Sequence, residues 1–565
     1  MLLVSLIASA ALVLTLAGVL PEARPGFGLL VVLLASIHLL TFALQTWPAG
    51  QWRDSIRGRA WGIALLTVCA VAVAVRLPGF ASDLGHTPLD IDEQRVSANV
   101  RHYFLTGEVR HTHIEHYPGA VFWLFSASSL LFFVRALTNG VVRTVNDLPI
   151  ETFAHAARMA NIWVAAATVG ITGLIGWRLS GKAAAILGAL LVAIVPVSVE
   201  TTVLVRNDAG MVLAVVAATY AALAYHDTGK LTRIAASGAF AGLAAGIKYT
   251  AVFALLPVLI AAVSVSPMQK RVRAALVGLL VFGLALAASH HFIWADFPNF
   301  LRQVAEQYAF TGPGHRWSTS EPEWFYVSTL ATAGPGWPMV LLAAAFTAYA
   351  LATRKPKLWI FISFPLIYLW FMTRRELQVA RWVFPLVPFV AVAGAAAMVE
   401  CLTRVLARLP SASQPHVRAR LVRVTAALAM IAVLWQPLWA GAVSFSRRVT
   451  RPTHQLTEEW IRDNAKPGTV VLLERGWLDL SQTQVVTRRV ADLSAALDGH
   501  LEQLGGCDWI VVPEPDFGHP ALRQFGFLQR FYADRSFGGN LGLDFEVYAV
   551  PAVGTGSVCR DGRMR

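Results

Sequence analysis

Residues 182–208 read KAAAILGALLVAIVPVSVETTVLVRND. The stretch 182–200 is apolar over the ~20 residues a helix needs to cross a bilayer. Lys182, with Arg178 before it, marks one end; Arg206-Asn207-Asp208 follow the other. Cations concentrate in the cytoplasmic loops of membrane proteins. Arg178 and Lys182 therefore read as cytoplasmic, and 182–200 crosses outward to deliver Asp208 to the far side. The rest of the 565-residue chain is of the same kind, with 56% hydrophobic residues, 14% charged residues and a mean hydropathy of +0.55. So much apolar surface excludes a disordered chain and a nucleic-acid scaffold. The net charge of +13 reports topology, not a nucleic-acid partner.

Working outward from that span, the apolar runs 2–20, 28–46 and 60–76 come first. The run 2–20 lacks a basic n-region and reads as a retained span, not a signal peptide. Arg53, Arg57 and Arg59 place the next loop inside, so the span 60–76 leads to a polar external loop over about 77–117. The run 153–177 ends at cytoplasmic Arg178, so parity requires 119–138 to lie in the outer leaflet without crossing. Span 209–225 returns to Lys230 and Arg233. Residues 234–266 are broken at Lys248 and flanked by cations at both ends, which predicts two short helices meeting outside at Lys248. Span 275–293 opens a second external loop, about 295–335, and spans near 337–352, 357–372, 382–399 and 423–442 follow. The prediction is a multi-pass all-α membrane domain of about thirteen spans over 1–445, with the N-terminus inside and the tail outside.

From 446 to 565 the pattern changes. A helix-like 454–464, a Pro467-Gly468 turn, strand-like Val470–Leu473, helix-like 490–504 and strand-like Trp509–Val512 and Phe545–Val550 alternate, which predicts a small extracytoplasmic α/β domain. Four cysteines without CxxC or Cys/His spacing argue against structural zinc and against a disulfide scaffold. Cys507 and Cys559 nevertheless fall in the external tail, where a single bridge is an expectation.

The first external loop carries Asp90-Ile91-Asp92-Glu93-Gln94-Arg95, and 93–104 has helical spacing. Asp92 is either a helix N-cap with Glu93 in the first turn, or a general base at the membrane surface. Further along, His111, His113 and Glu115 alternate, as metal ligands on a strand or as a solvated loop. His116 stands just before Pro118 at the membrane boundary, where a donor is able to hold a lipid phosphate.

These elements, in this order and on one side, carry a resemblance. They are the Asp-Glu pair opening a helix, Leu105-Thr106-Gly107, His116-Tyr117-Pro118, Phe122-Trp123, Arg158, Gly181, Pro196 before Arg206-Asn207-Asp208, Gly246-x-Lys248-Tyr249-Thr250, and Arg381-Trp382 with Pro385 and Pro388. Over roughly 60–400 the chain resembles the GT-C glycosyltransferases of the protein O-mannosyltransferase and lipid A aminoarabinose transferase type. The resemblance implies a sugar donor on a polyprenyl phosphate, attack by an acceptor hydroxyl outside the plasma (inner) membrane, and inversion at the anomeric carbon. It places the catalytic acid on Asp92, with Glu93 beside it, and a second external acid on Asp208. His116-Tyr117-Pro118 departs from the Lys-Pro of one branch and lies closer to the His-Pro-Pro of the other.

Several other charges then gain a role. Lys248 sits in an otherwise apolar run, where it either snorkels or meets a phosphate. Arg381 and Arg374 lie on the same outer side and complete a donor-phosphate set with Lys248 and His116. His111, His113, His290 and His291 are acceptor-site or metal candidates, a divalent metal being the one cofactor considered. The expected partners are a polyprenyl-phosphate sugar, the bilayer, and an envelope glycan, lipid or protein acceptor. The competing class is a transporter or flippase for a polyprenyl-linked or anionic solute. A transporter places ionisable groups near mid-span and often shows internal repeats. Here the acids cluster in external loops and no repeat is evident.

Overall fold

The computed structural model describes residues 54–81, 91–108, 119–265, 267–290, 293, 297–310, 324–408, 415–448 and 453–474, and in the tail 478, 480, 483–490, 493, 496–497, 507–513, 519–531 and 545–550. The chain divides into two compact units, Met1–Phe80 with Val96–Ala442, and Ala81–Arg95 with Val443–Arg565.

The first unit is helical. Its elements are α1 (Asp54–Ala74), α2 (Ile91–Thr106, whose first turn falls in the second unit), α3 (Gly119–Thr138), α4 (Ile150–Ser180), α5 (Lys182–Ile194), α6 (Pro196–Val203), α7 (Asp208–Thr228), α8 (Leu231–Ile247), α9 (Leu255–Val263), α10 (Met268–Ser289), α11 (Phe297–Phe310), α12 (Phe325–Thr332), α13 (Trp337–Thr353), α14 (Pro356–Met372), α15 (Val387–Arg408) and α16 (Pro415–Arg448, whose residues from Val443 fall in the second unit). Among the described residues, six helices are long and apolar enough to cross a membrane, or seven if the bent pair α5–α6 is one span. Helix α3, expected in the outer leaflet, is one of the six by length and composition. The first two expected spans, 2–20 and 28–46, lie outside the described residues.

Local sequence sets the boundaries. Gly181, at φ +88°, takes a backbone that other residues rarely adopt and so separates α4 from α5. Pro196 cannot donate to the preceding turn, and α5 and α6 meet at a 55° bend there. The amide of Val197, released by the bend, donates to Ala333 O at 3.0 Å. The nearby Gln436 donates to Ala331 O at 2.6 Å and accepts from Trp337 N at 3.1 Å. Arg76, fully buried, fills the inner side of the bend. Its Nη1 donates to Ala193 O (2.9 Å) and Ala72 O (2.8 Å), its Nη2 to Ser198 Oγ (2.9 Å) and its Nε to Thr202 Oγ1 (2.6 Å). Helix α4 starts at Ile150, three residues before the expected 153, and Arg158 is buried in its interior.

Helices α8 and α10 lie unusually close. A Cβ on Gly238 would come within 2.3 Å of Gly278 O, one on Gly242 within 2.2 Å of Phe282 O, and one on Gly246 within 1.8 Å of Ser289 Oγ. These glycines recur every four residues and form one stripe that lets two backbones touch, a common route to helix pairing in lipid. On its far side α10 exposes Leu276, Leu280 and Leu284. Gly242→Leu should force α8 and α10 apart and cost at least the ~1–3 kcal/mol typical of overpacking. A thermal melt in detergent tests this, and an unchanged midpoint would refute the close contact.

The second unit packs α17 (Thr453–Asn464) with five strands: β1 (Val470–Glu474), β2 (Val486–Val490), β3 (Trp509–Pro513), β4 (Gly526–Phe531) and β5 (Phe545–Ala549). Their order is β2-β1-β3-β5-β4. β1 runs parallel to β2 and β3, and β5 runs antiparallel to β3 and β4. One face buries Val471, Leu473, Trp509 and Val511 with Ile461 of α17; the other buries Leu472, Ile510, Leu493, Leu497 and Cys507. The three strands expected from the sequence are β1, β3 and β5. Most of the helix-like 490–504 lies outside the described residues. Of the expected disulfide pair, Cys507 alone is among the described residues. Cys507 carries a free, buried thiol, 4.0 Å from Arg488 Nη1 and packed into the apolar face, while Cys559 lies outside the described residues.

Candidate active site

Asp208 is the first residue of α7, and its side chain is only 2% exposed. Two amides hold the chain that leads to it. Asn161 of α4 donates to Leu204 O (2.7 Å) and Arg206 O (3.2 Å), and Asn207 donates to Ile247 O (3.3 Å). The second bond ties the start of α7 to the end of α8. There α8 stops at Lys248, whose extended backbone leads into a 3-10 turn, Tyr249–Ala254, before α9. The break foreseen at Lys248 is therefore real, and two short helices meet at it.

Lys248 Nζ lies 2.7 Å from Asp208 Oδ1, and Arg381 Nε lies 3.9 Å from Asp208 Oδ2. Arg206 adds a third positive charge acting on the same carboxylate. Lys248 also stands 5.6 Å from the centre of the Trp382 ring. The short 3-10 helix Ala380–Leu386 carries Arg381 and Trp382, and the buried Tyr368 hydroxyl of α14 donates to Trp382 O at 3.1 Å. Among the described residues, three cations therefore act on this one carboxylate. The Lys248 and Arg381 side chains keep 20% and 30% exposure, so both cations reach an accessible side.

The other sequence candidates are placed as follows. His290, at the end of α10, is buried, and its Nε2 lies 3.0 Å from the Tyr249 hydroxyl. Its ring stacks on Tyr249 at 5.8 Å with the Phe300 edge at 5.1 Å. Because Tyr249 adjoins Lys248, the structure brings His290 to the neighbourhood of the cationic cluster. Arg374 is exposed on the turn after α14, and Arg375 beside it stacks on Tyr308 at 3.8 Å and Phe371 at 4.6 Å. Asp92 is the second residue of α2, in its first turn and not at the N-cap; its side chain lies outside the described residues, and Glu93 is fully buried. His111, His113, His116 and His291 lie outside the described residues. No group of three or more His, Cys, Asp or Glu gathers as a metal site among the described residues. Sequence reading missed the ion pairing of Asp208 with Lys248 and the Tyr368 support under Trp382. The first had a signal, since an intramembrane Lys needs a partner; the second had none.

A family model for dolichyl-phosphate-mannose-protein mannosyltransferases matches residues 150–294, which contain α4 to α10, Asp208 and Lys248. A search of curated proteins finds no match. Among solved structures, ArnT from Cupriavidus metallidurans bound to undecaprenyl phosphate is similar, with a TM-score of 0.53 and 14% identity over 86% of this chain and 98% of that one. The apo oligosaccharyltransferase of Archaeoglobus fulgidus is similar with a TM-score of 0.52 and 13% identity, over 87% of this chain and 75% of that one. Oligosaccharyltransferase AglB of the same organism, in complex with an inhibitory peptide and a dolichol-phosphate, gives a TM-score of 0.51 and 11% identity over 86% and 74%. The apolar helices, the small sheet-bearing tail and these likenesses give one result: the chain has the multi-pass membrane fold of the GT-C glycosyltransferases.

Proposed function

We propose that this protein is an integral membrane glycosyltransferase that moves a sugar from a polyprenyl-phosphate donor to an acceptor hydroxyl at the outer side of the plasma (inner) membrane. The observation that carries the reading is the convergence of two partly exposed cations, Lys248 and Arg381, on buried Asp208 at the start of α7. Charge-assisted donors of this kind recognise phosphate oxygens. ArnT is bound to undecaprenyl phosphate and AglB to a dolichol-phosphate, and the matched family is named for a dolichyl-phosphate sugar; all three support a lipid phosphate as the ligand here.

In this reading the acceptor oxygen attacks the anomeric carbon, forming the new glycosidic bond as the bond from that carbon to the phosphate oxygen breaks. The electron pair leaves with the polyprenyl phosphate, whose charge Lys248 and Arg381 stabilise. The acceptor's proton passes to the Asp92 carboxylate. The sugar, a hexose or a pentose, ends with inverted configuration. Purified protein incubated with radiolabelled polyprenyl-phosphate sugars should release polyprenyl phosphate from at least one donor. Asp92→Asn should remain folded and lose transfer, by at least the ~10²–10⁴-fold that a general base contributes. Donor sequestered or moved across vesicles without cleavage would replace the transferase with a transporter.

A further inference from the structure

The two ends of α7 are built alike. At the end opposite Asp208, the Asp227 carboxylate also serves two cations from other helices. Arg178 Nη1 of α4 lies 2.7 Å from Asp227 Oδ2, and Lys357 Nζ of α14 lies 3.1 Å from Asp227 Oδ1. Helix α7 has 21 residues, so at 1.5 Å per residue its ends stand roughly 30 Å apart, the depth of a bilayer core. Asp227 sits in the last turn of α7, where the helix's own partial negative charge repels it. The two cations offset that repulsion and, among the described residues, still leave a surplus of one positive charge.

The surplus is accessible and is reinforced. The Arg178, Lys357 and Asp227 side chains are 20%, 32% and 29% exposed. The turn between α13 and α14 adds Arg354 and Lys355, and Lys230 follows the end of α7; all three are exposed. Aromatic rings mark the depth. Trp177 and Tyr349 are exposed, Trp61 packs on Trp177 at 5.2 Å, and Lys355 Nζ lies 3.3 Å from the Tyr349 hydroxyl. Trp and Tyr in such positions sit at headgroup level. Arg178 is held for its task by the Tyr220 ring, 4.8 Å from its guanidinium carbon.

The geometry points to a binding site for one anionic phospholipid headgroup between Arg178 and Lys357, in the leaflet opposite Asp208. Its phosphate would meet Lys357 and the guanidinium of Arg178 in competition with Asp227, and basic pockets between helices are known to hold such headgroups. The site stands on its own geometry and does not depend on the reading of Asp208.

Native mass spectrometry of the full chain, released from detergent and titrated with phosphatidylglycerol, phosphatidylcholine or inorganic phosphate, tests it. One phosphatidylglycerol should be retained where phosphatidylcholine is not. Lys357→Gln should lower retention about fivefold, the effect of one cation near a membrane surface. Asp227→Asn should raise retention, because it removes the competing carboxylate; a carboxylate that merely clamps helices predicts no rise. If Lys357→Gln does not fold, exposed Lys355→Gln should show a smaller loss in the same direction. Equal retention of the two lipids, no effect of the lysine variants, a fall in retention with Asp227→Asn, or displacement of the lipid by millimolar phosphate would each overturn the proposal.

Discussion

Arg76→Ala should destabilise the membrane unit by about 3–5 kcal/mol, combining unsatisfied buried acceptors with a large cavity. The Val197 amide that would normally serve Ala193 O donates instead to Ala333 O. Arg76 supplies the missing donor, and with the same guanidinium reaches Ser198 and Thr202 on α6. Alanine leaves that carbonyl and both hydroxyls without their donor in a buried site. Arg76→Met, which restores most of the volume but none of the donors, separates the two contributions and should recover only part of the loss. The readouts are the thermal midpoint in detergent and the yield of monodisperse protein. A wild-type midpoint for the alanine variant would show that the bend holds without Arg76.

Lys248→Ala should lower transfer by about 10²–10³-fold, the scale for removing one preorganised charge stabiliser from a reacting site. It should also weaken folding, because Asp208 loses its 2.7 Å partner and retains Arg381 at 3.9 Å. Buried carboxylates stripped of a partner are costly. The double variant Asp208→Asn with Lys248→Ala distinguishes the two roles. It removes the charge along with its partner and should return the thermal midpoint toward wild type while transfer stays low. Restored transfer in the double variant would mean that Lys248 serves only as the counter-ion of Asp208, and the phosphate-binding role would fall.

Hydropathy carried most of the helical architecture into the sequence, because an apolar run bounded by cations has few other readings. The break at Lys248 was legible for the same reason: a cation interrupts an otherwise apolar run. Strands β1 and β3 announce themselves as short apolar runs and β5 as a β-branched and aromatic stretch around Glu546, whereas β2 (Val486–Val490) carries Arg488 and Arg489 and β4 (Gly526–Phe531) carries Gln529 and Arg530. Both lie at the edges of the sheet, where polar residues are tolerated and the apolar signal is weak. The glycines at 238, 242 and 246 were visible, yet their meaning depends on which helix faces them, and Gly278, Phe282 and Ser289 lie far along the chain. Pairing is invisible for the same reason. Asp208 and Lys248 were each singled out, but nothing in either neighbourhood states that one holds the other. Cys507 falls in the apolar face with Leu472 and Ile510, while Cys559, the partner expected for it, lies outside the described residues.

The bond from Val197 to Ala333 has a consequence for how the protein is made. The ribosome produces Val197 well over a hundred residues before Ala333, a delay on the order of ten seconds at ordinary rates of synthesis. Through that interval the buried amide at the start of α6 lacks its acceptor, and lipid supplies no water to stand in. The α5–α6 bend therefore cannot reach its final form as the two helices enter the membrane. It must wait for the later helices, and Gln436 closes the same region only when α16 arrives. Nascent chains that stop before Ala333 should be clients of the insertion and quality-control machinery, and single substitutions at Ala333 or Gln436 should act first on biogenesis and only later on catalysis.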